Sequence, residues 1–260
     1  MKLKKIKFTK KTVNKIMFFG LPILTVACLV AVWALASKII GNQFVLPSVA
    51  DTVVEFFNLF TKGEFYLALL STLLRSFIGF FISFIVAFVL ALLQQKSSHF
   101  ARVINLIVAF LRTLPTIAVV LIFVLWTSEN VAPVLVTILV VLPTCYTSFV
   151  NALNGVDKSV LEMCRVDGID TKNTFLKIKL PIILPEVLLT CGAGFSLSLK
   201  LMVASEVLSQ TSKCIGYMLK FSQVYFETAT MIALVVVVVI LGVIIESTFN
   251  LLSKKASKWR

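Results

Sequence analysis

Two groups of residues in this chain are placed to do chemistry, and in both the chemistry is recognition and charge. The first is LEMCRVDGIDTKNTFLKIKLP, residues 161–181, a polar helix-forming island between long apolar runs. Glu162, Arg165, Asp167 and Asp170 supply solvated, pairable groups, while Leu161, Cys164 and the side of Val166 supply an apolar contact. Gly168 allows a positive backbone dihedral, so a helix over the preceding residues can end there and the chain reverse. Pro181 and Pro185 then suit the start of the next apolar run, whose first turn accepts a proline without losing a helical bond. A short rigid helix of this kind fits a groove on another protein; the plainer reading is a loop with a helical turn.

The second group is Arg75, Arg112, Lys200 and Glu206, all inside or near the ends of apolar stretches. A charge at the centre of a membrane span costs roughly 2.5–3.5 kcal/mol on insertion scales, so each needs a cavity, a partner or a route to the surface. Arg112 stands where a long side chain can snorkel. Lys200 and Glu206 are six residues apart, about 240° around a helix, so they do not share a face and need different partners. Lys200 and Arg75 either line a path that favours an anion, with Glu206 nearby, or are structural charges paired inside the fold.

Catalytic chemistry finds little support. The five cysteines (Cys28, Cys145, Cys164, Cys191, Cys214) include no close pair, the single histidine is His99, and no ligand spacing for a metal is visible. No Gly-x-x-x-x-Gly-Lys-Ser/Thr loop occurs, so ATP hydrolysis by this chain is not expected. No cofactor is implied.

The elements that must position these residues are membrane helices. With 59% hydrophobic and 14% charged residues and a mean hydropathy of +1.01, the chain cannot present a wettable surface as a soluble globule. Uncharged windows near the roughly 20 residues that cross a bilayer occur at 16–37, 76–95, 113–128, 130–156 and 228–245. A sixth, 182–208, is interrupted only by Glu186, Lys200 and Glu206. About six transmembrane helices follow, two of them extended N-terminally through Arg75 and Arg112. The run to Ser37 is too long for a signal-peptide core and reads as a retained first helix.

The formal net charge of +13 points to topology and not to nucleic acid, because the basic residues alternate between sides. They crowd the N-terminus (Lys2, Lys4, Lys5, Lys7, Lys10, Lys11, Lys15), the loop with Lys96 and Arg102, the loop with Lys158, Arg165, Lys172, Lys177 and Lys179, and the tail with Lys254, Lys255, Lys258 and Arg260. The intervening loops hold only Lys38, Lys62, Lys213 and Lys220. Both termini and the Glu162 loop are therefore expected on the cytoplasmic side. Between the first two spans, residues 44–60 open with a Leu-Pro-Ser turn and continue with apolar positions at Val49, Val53, Phe56, Phe57 and Phe60, a spacing for an amphipathic helix on the outer face. Pro115 and Pro143 are expected to break backbone hydrogen bonds in the third and fourth spans.

In the loop, Glu162, Gly168, Ile178, Leu180 and Pro181 fall on the Glu-Ala-Ala, three residues, Gly, nine residues, Ile-x-Leu-Pro spacing of the permease subunits of ATP-binding cassette (ABC) importers, with Met163 and Cys164 replacing the Ala pair. The segments LPS at 46–48, TLLRSFIGF at 72–80, FLRTLPTIAVVLIFVLW at 110–126 and Gly216-Tyr217 are similar to the nitrate, taurine and alkanesulfonate branch of that family. The resemblance covers roughly residues 44–250. It implies an all-α polytopic fold of the type I ABC importer permease class. It also implies a coupling helix at Leu161, Glu162, Met163, Cys164, Arg165, Val166, Asp167 and Gly168, docked on a separate ATP-binding subunit.

The same resemblance implies an extracytoplasmic substrate-binding protein, a second permease copy in a homodimer, and a location in the bacterial plasma membrane. Glu206 matches an acidic residue of the branch, whereas Lys200 departs from it. The expected organisation is a basic N-terminus (1–15), a first helix (16–43), an outer amphipathic segment (44–64), the importer transmembrane domain (65–252) with a coupling loop at 157–181, and a basic tail (253–260). The solute is a small molecule such as a sulfonate, taurine or nitrate; a thiamine-precursor-like or other nutrient is the alternative within the class. An autonomous secondary transporter is the rival outside it, but the inverted repeats and paired broken helices that it predicts are not evident in the sequence.

Overall fold

The computed structural model describes residues 10–257. Lys2, Lys4, Lys5 and Lys7 of the basic N-terminus, and Lys258 and Arg260 of the tail, lie outside the described residues. Among those described, the regular structure is entirely helical.

Helix α1 (Lys10–Ile40) leads, through Gly41 at φ +64°, into the short amphipathic α2 (Val49–Leu59). Ser48 caps α2 by accepting the Asp51 amide at 3.1 Å, as a serine before an apolar run should. Trp33 Nε1 donates to the Pro47 carbonyl at 3.2 Å and Ser37 Oγ to the Leu46 carbonyl at 3.2 Å, tethering α1 at this end. Thr52 and Leu59 of α2 turn inward while Val53, Val54 and Phe57 stay exposed, the asymmetry expected of a helix lying on a bundle.

The bundle is built from α3 (Gly63–Gln94), α6 (Ala132–Asn154), α9 (Leu180–Ser209) and α11 (Thr228–Ala256). Lipid gives no hydrophobic drive between helices, so close backbone approach at small residues does the joining. A Cβ on Gly79 would stand 3.0 Å from Thr137, one on Gly192 2.8 Å from Phe249, and one on Gly194 2.9 Å from Phe80. Phenylalanines fill the remaining space: Phe149 meets Phe84 edge-on at 4.9 Å, and Phe80 stacks on Phe195 at 5.5 Å.

These four spans (the third counted as Thr171–Ser209), a fifth bent one and the apolar end of α1 (Leu24–Ile40) account for the expected number of about six. The bent one departs from the sequence expectation. Residues 98–126 form α4 (Ser98–Thr113) and α5 (Thr116–Trp126), which meet at 93°, so the expected third span at 113–128 is not a straight helix. The cause is local. Pro115 drives Leu114 out of helical geometry (ψ 128°) and has no amide to continue the ladder. Arg102 therefore sits within α4 and not in a loop, and Arg112 lies at the end of α4 and not at the start of a span. Pro143 lies within α6 as expected.

After α6 the chain forms α7 (Lys158–Val166), a helical turn α8 (Thr171–Asn173) and a π-helical stretch (Thr174–Lys179) that runs into α9. Gln210 in the left-handed region (φ 54°) ends α9, and α10 (Ile215–Val224) packs back against it.

Candidate functional site

Helix α7 is built for a surface. Asp157 caps it by accepting the Ser159 amide at 3.0 Å, and that bond with the Ser159 side chain holds its carboxyl below the usual value. At the other end Gly168 takes φ +68°, the Ile169 amide donates to the Cys164 carbonyl at 2.9 Å and the Gly168 amide to the Arg165 carbonyl at 3.2 Å. That bond pair is a Schellman closure, which explains the need for glycine at 168.

The helix presents two unlike faces. Cys164 is buried, and Leu161 packs on the cluster around Phe149 and Leu153. Val166, 87% exposed, and Met163, 64% exposed, project outward beside the charged Glu162 and Asp167, and with Ser159 these line a shallow surface groove. The apolar contact expected from Leu161 and Cys164 is thus directed into the protein's own bundle. Met163 and Val166 form the outward apolar pair.

The span charges separate into two kinds. Arg75 Nη1 pairs with Glu206 Oε1 at 3.1 Å; the Arg75 side chain is 19% exposed and the Glu206 side chain 0%. Glu206 Oε2 also accepts from Thr72 Oγ1 at 2.9 Å and the Gly216 amide at 3.3 Å, and Arg75 Nη2 donates to Asn130 Oδ1 at 2.9 Å. Thr72 Oγ1 in turn accepts the Ile215 amide at 3.0 Å. One network therefore ties α3, α9, the start of α10 and the α5–α6 connection. The pairing expected for one alternative is present at Arg75.

Lys200 is different. It is exposed on α9, on a stripe with Glu186, Leu189, Ala193 and Ala204, and no hydrogen bond or ion pair reaches it among the described residues. Arg112 is also exposed, and its Nη2 donates to the Pro143 carbonyl at 3.2 Å and to Thr147 Oγ1.

Sequence reasoning missed Thr72, Asn130 and Gly216 as partners of the ion pair, because they come from three separate segments. It also missed a polar stripe on α6 at Thr144, Thr147, Ser148 and Asn151. Their i, i+3, i+4, i+7 spacing in an apolar span was the available signal.

Comparison with known proteins places this geometry in context. A family model described as "Binding-protein-dependent transport system inner membrane component" matches residues 79–258. A protein named as an aliphatic sulfonates transport permease, SsuC of Bacillus subtilis, is 25% identical over 236 residues, covering 90% of this chain and 85% of its own length. Its namesake in Escherichia coli is 27% identical over 237 residues, 89% and 88% of the two chains. The formylaminopyrimidine transport permease protein ThiX of Halalkalibacterium halodurans is 23% identical over 243 residues, 92% and 95%. Among solved structures, a chain of the inward-facing MetNI methionine ABC transporter superposes with a TM-score of 0.65 at 16% identity, covering 73% of this chain and 94% of that one.

Proposed function

The chain belongs to the family of binding-protein-dependent transport system inner membrane components, and from that premise we propose that this ABC importer permease subunit carries a small organic anion. The observation that carries this reading is Lys200, a cation on an exposed stripe within a membrane-spanning helix, with no acidic partner among the described residues. An ionised side chain there is stable when it faces a water-filled path or a ligand. The names of the two sulfonate-permease relatives favour the same solute class. A formylaminopyrimidine-like nutrient is the second reading, favoured by the third relative's name.

Around that path, α7 docks in a groove of a separate ATP-binding subunit, with Met163 and Val166 as the apolar knob, Leu161 and Cys164 anchoring the helix from inside, and Glu162, Arg165 and Asp167 as rim charges. Gly168 sets the reversal that makes the helix rigid. ATP is hydrolysed on that subunit, an extracytoplasmic binding protein delivers the solute, and both termini lie in the cytoplasm. A second copy of the chain covers the bare face of α5 at Ile117, Leu121 and Leu125 and closes the path that the α9 stripe lines. Nucleotide binding then shifts the assembly between outward-open and inward-open states through its unequal affinity for them.

Uptake into proteoliposomes holding the chain with its ATP-binding subunit and binding protein tests the solute class, with ethanesulfonate as the probe. Lys200→Met lowers ATP-driven uptake roughly tenfold or more, because hydrogen bonds to charged groups contribute about 1.5–3 kcal/mol. Unchanged uptake counts against the anion path.

A further inference from the structure

We propose that Arg112 and Thr147 form an oxyanion-binding station halfway along the solute path, an inference that rests on the anionic-solute reading above. Pro143, whose carbonyl Arg112 engages, is the twelfth of the 23 residues of α6, so the guanidinium sits beside the midpoint of a membrane-crossing helix. The hydrocarbon core is about 30 Å thick, and an arginine side chain does not reach a headgroup from its middle. Snorkelling, the expectation for a residue at the start of a span, does not fit the observed position.

The partners of Arg112 are neutral. Thr147 donates its own hydroxyl hydrogen to the Pro143 carbonyl at 2.8 Å, which leaves a lone pair to receive Nη2–H of Arg112. Both bonds use Nη2, so the three N–H donors on Nη1 and Nε have no partner among the described residues. Nε–H and the Nη1 hydrogens point to different sides of the guanidinium, with Cδ between Nε and Nη1, so each side offers single charge-assisted hydrogen bonds to an oxygen of a sulfonate, carboxylate or phosphate. No carboxylate competes for them: the one ion pair among the described residues is Arg75–Glu206.

The surroundings suit a passing anion. Arg112 lies where α4 ends and the chain bends by 93° into α5. Beside it, Thr144 and Asn151 are exposed and Ser148 is half-buried on α6, so the stripe is polar but uncharged. A cation held by neutral groups keeps its charge available to a ligand, whereas Arg75 has spent its charge on Glu206. The two arginines are thereby assigned different tasks, structural at 75 and ligand-binding at 112.

The test is equilibrium binding of ethanesulfonate to the permease with its ATP-binding subunit in nanodiscs of phosphatidylcholine, without a binding protein. Ethyl methyl sulfone, similar in shape but neutral, is the control competitor. In the wild type, ethanesulfonate binds saturably and the sulfone does not displace it. Arg112→Gln weakens binding roughly tenfold or more, the scale of a charge-assisted hydrogen bond, and Arg112→Lys weakens it less. Thr147→Val also weakens it and Thr147→Ser restores it, an arm that holds even where Arg112→Gln fails to assemble.

Equal affinity in the wild type, Arg112→Gln and Thr147→Val, with Lys200→Met impaired, overturns the station and leaves the anion reading standing. Absence of wild-type binding, together with ATP-driven uptake of a neutral nutrient, overturns both. An effect of Arg112→Gln that appears only when phosphatidylglycerol is added assigns the arginine to a lipid phosphate and overturns the station.

Discussion

Removing the arginine from the Arg75–Glu206 pair should cost more than neutralising the glutamate. In Arg75→Met the Glu206 carboxylate, with a side chain 0% exposed, loses its one ion-pair partner among the described residues and keeps two hydrogen bonds, from Thr72 and the Gly216 amide. Breaking a buried pair by removing one member costs about 3–5 kcal/mol. The Arg75–Asn130 bond is lost as well, at about 0.5–1.5 kcal/mol. In Glu206→Gln the amide can still accept from Arg75 and donate to Thr72, the Gly216 amide loses its acceptor, and the arginine, 19% exposed, retains a route to water; the cost should be about 1–3 kcal/mol. At roughly 2–4 °C per kcal/mol for a chain of this size, the two losses together should lower the Arg75→Met midpoint by about 7–26 °C, and Glu206→Gln should lower it by about 2–12 °C. The double variant Arg75→Met/Glu206→Gln should recover part of the loss, since no unpaired charge remains buried. A thiol-reactive fluorogenic dye provides the assay, because Cys145, Cys164 and Cys214 are free and buried and become reactive on unfolding. Equal midpoints for the two single variants, or no recovery in the double, would refute the structural role of the pair.

Other substitutions follow from the same geometry. Gly216→Ala should lower the midpoint markedly, because the new Cβ would meet Glu206 Cβ at 2.3 Å and the Val207 nitrogen at 2.7 Å; Gly63→Ala, with nothing within 4 Å, should be near neutral in the same assay. Val166→Asp and Met163→Asp should abolish co-purification of the ATP-binding subunit while leaving the midpoint unchanged, since both side chains are exposed. Gly168→Ala should cost about 1–2 kcal/mol of α7 stability through its positive φ, seen as weaker ATP-subunit binding, with Gly168→Asn milder. The lowered Asp157 carboxyl contributes to α7 stability above its unfolded value and loses that contribution as pH falls through the folded one; acidification should therefore fray the start of α7, and Asp157→Asn should flatten this dependence in hydrogen exchange.

Much of the bundle was legible because lipid imposes long apolar runs that cannot be hidden, and α3, α6, α9 and α11 each contain such a run. The end of α7 was legible too, since a glycine at 168 has few other uses there. What sequence could not show was depth and partnership. The meeting of Arg75 and Glu206 joins residues 131 apart, and nothing local announces it. The apolar run begins after Arg112 and so marks it as the start of a span, whereas Pro115 turns the chain by 93° and leaves the arginine against the middle of α6. The orientation of α7 was half legible: its faces follow from helical periodicity, but which face meets the bundle depends on Leu161 reaching the Phe149 cluster, a tertiary contact.

Tagged chain should be purified from its native membrane and the proteins that accompany it identified by mass spectrometry. Work with a separate motor predicts recovery of an ATP-binding subunit, lost when Glu162 and Gly168 are substituted in a chain whose unfolding midpoint is unchanged. Recovery of the chain alone, carrying solute in liposomes without ATP, would contradict that account.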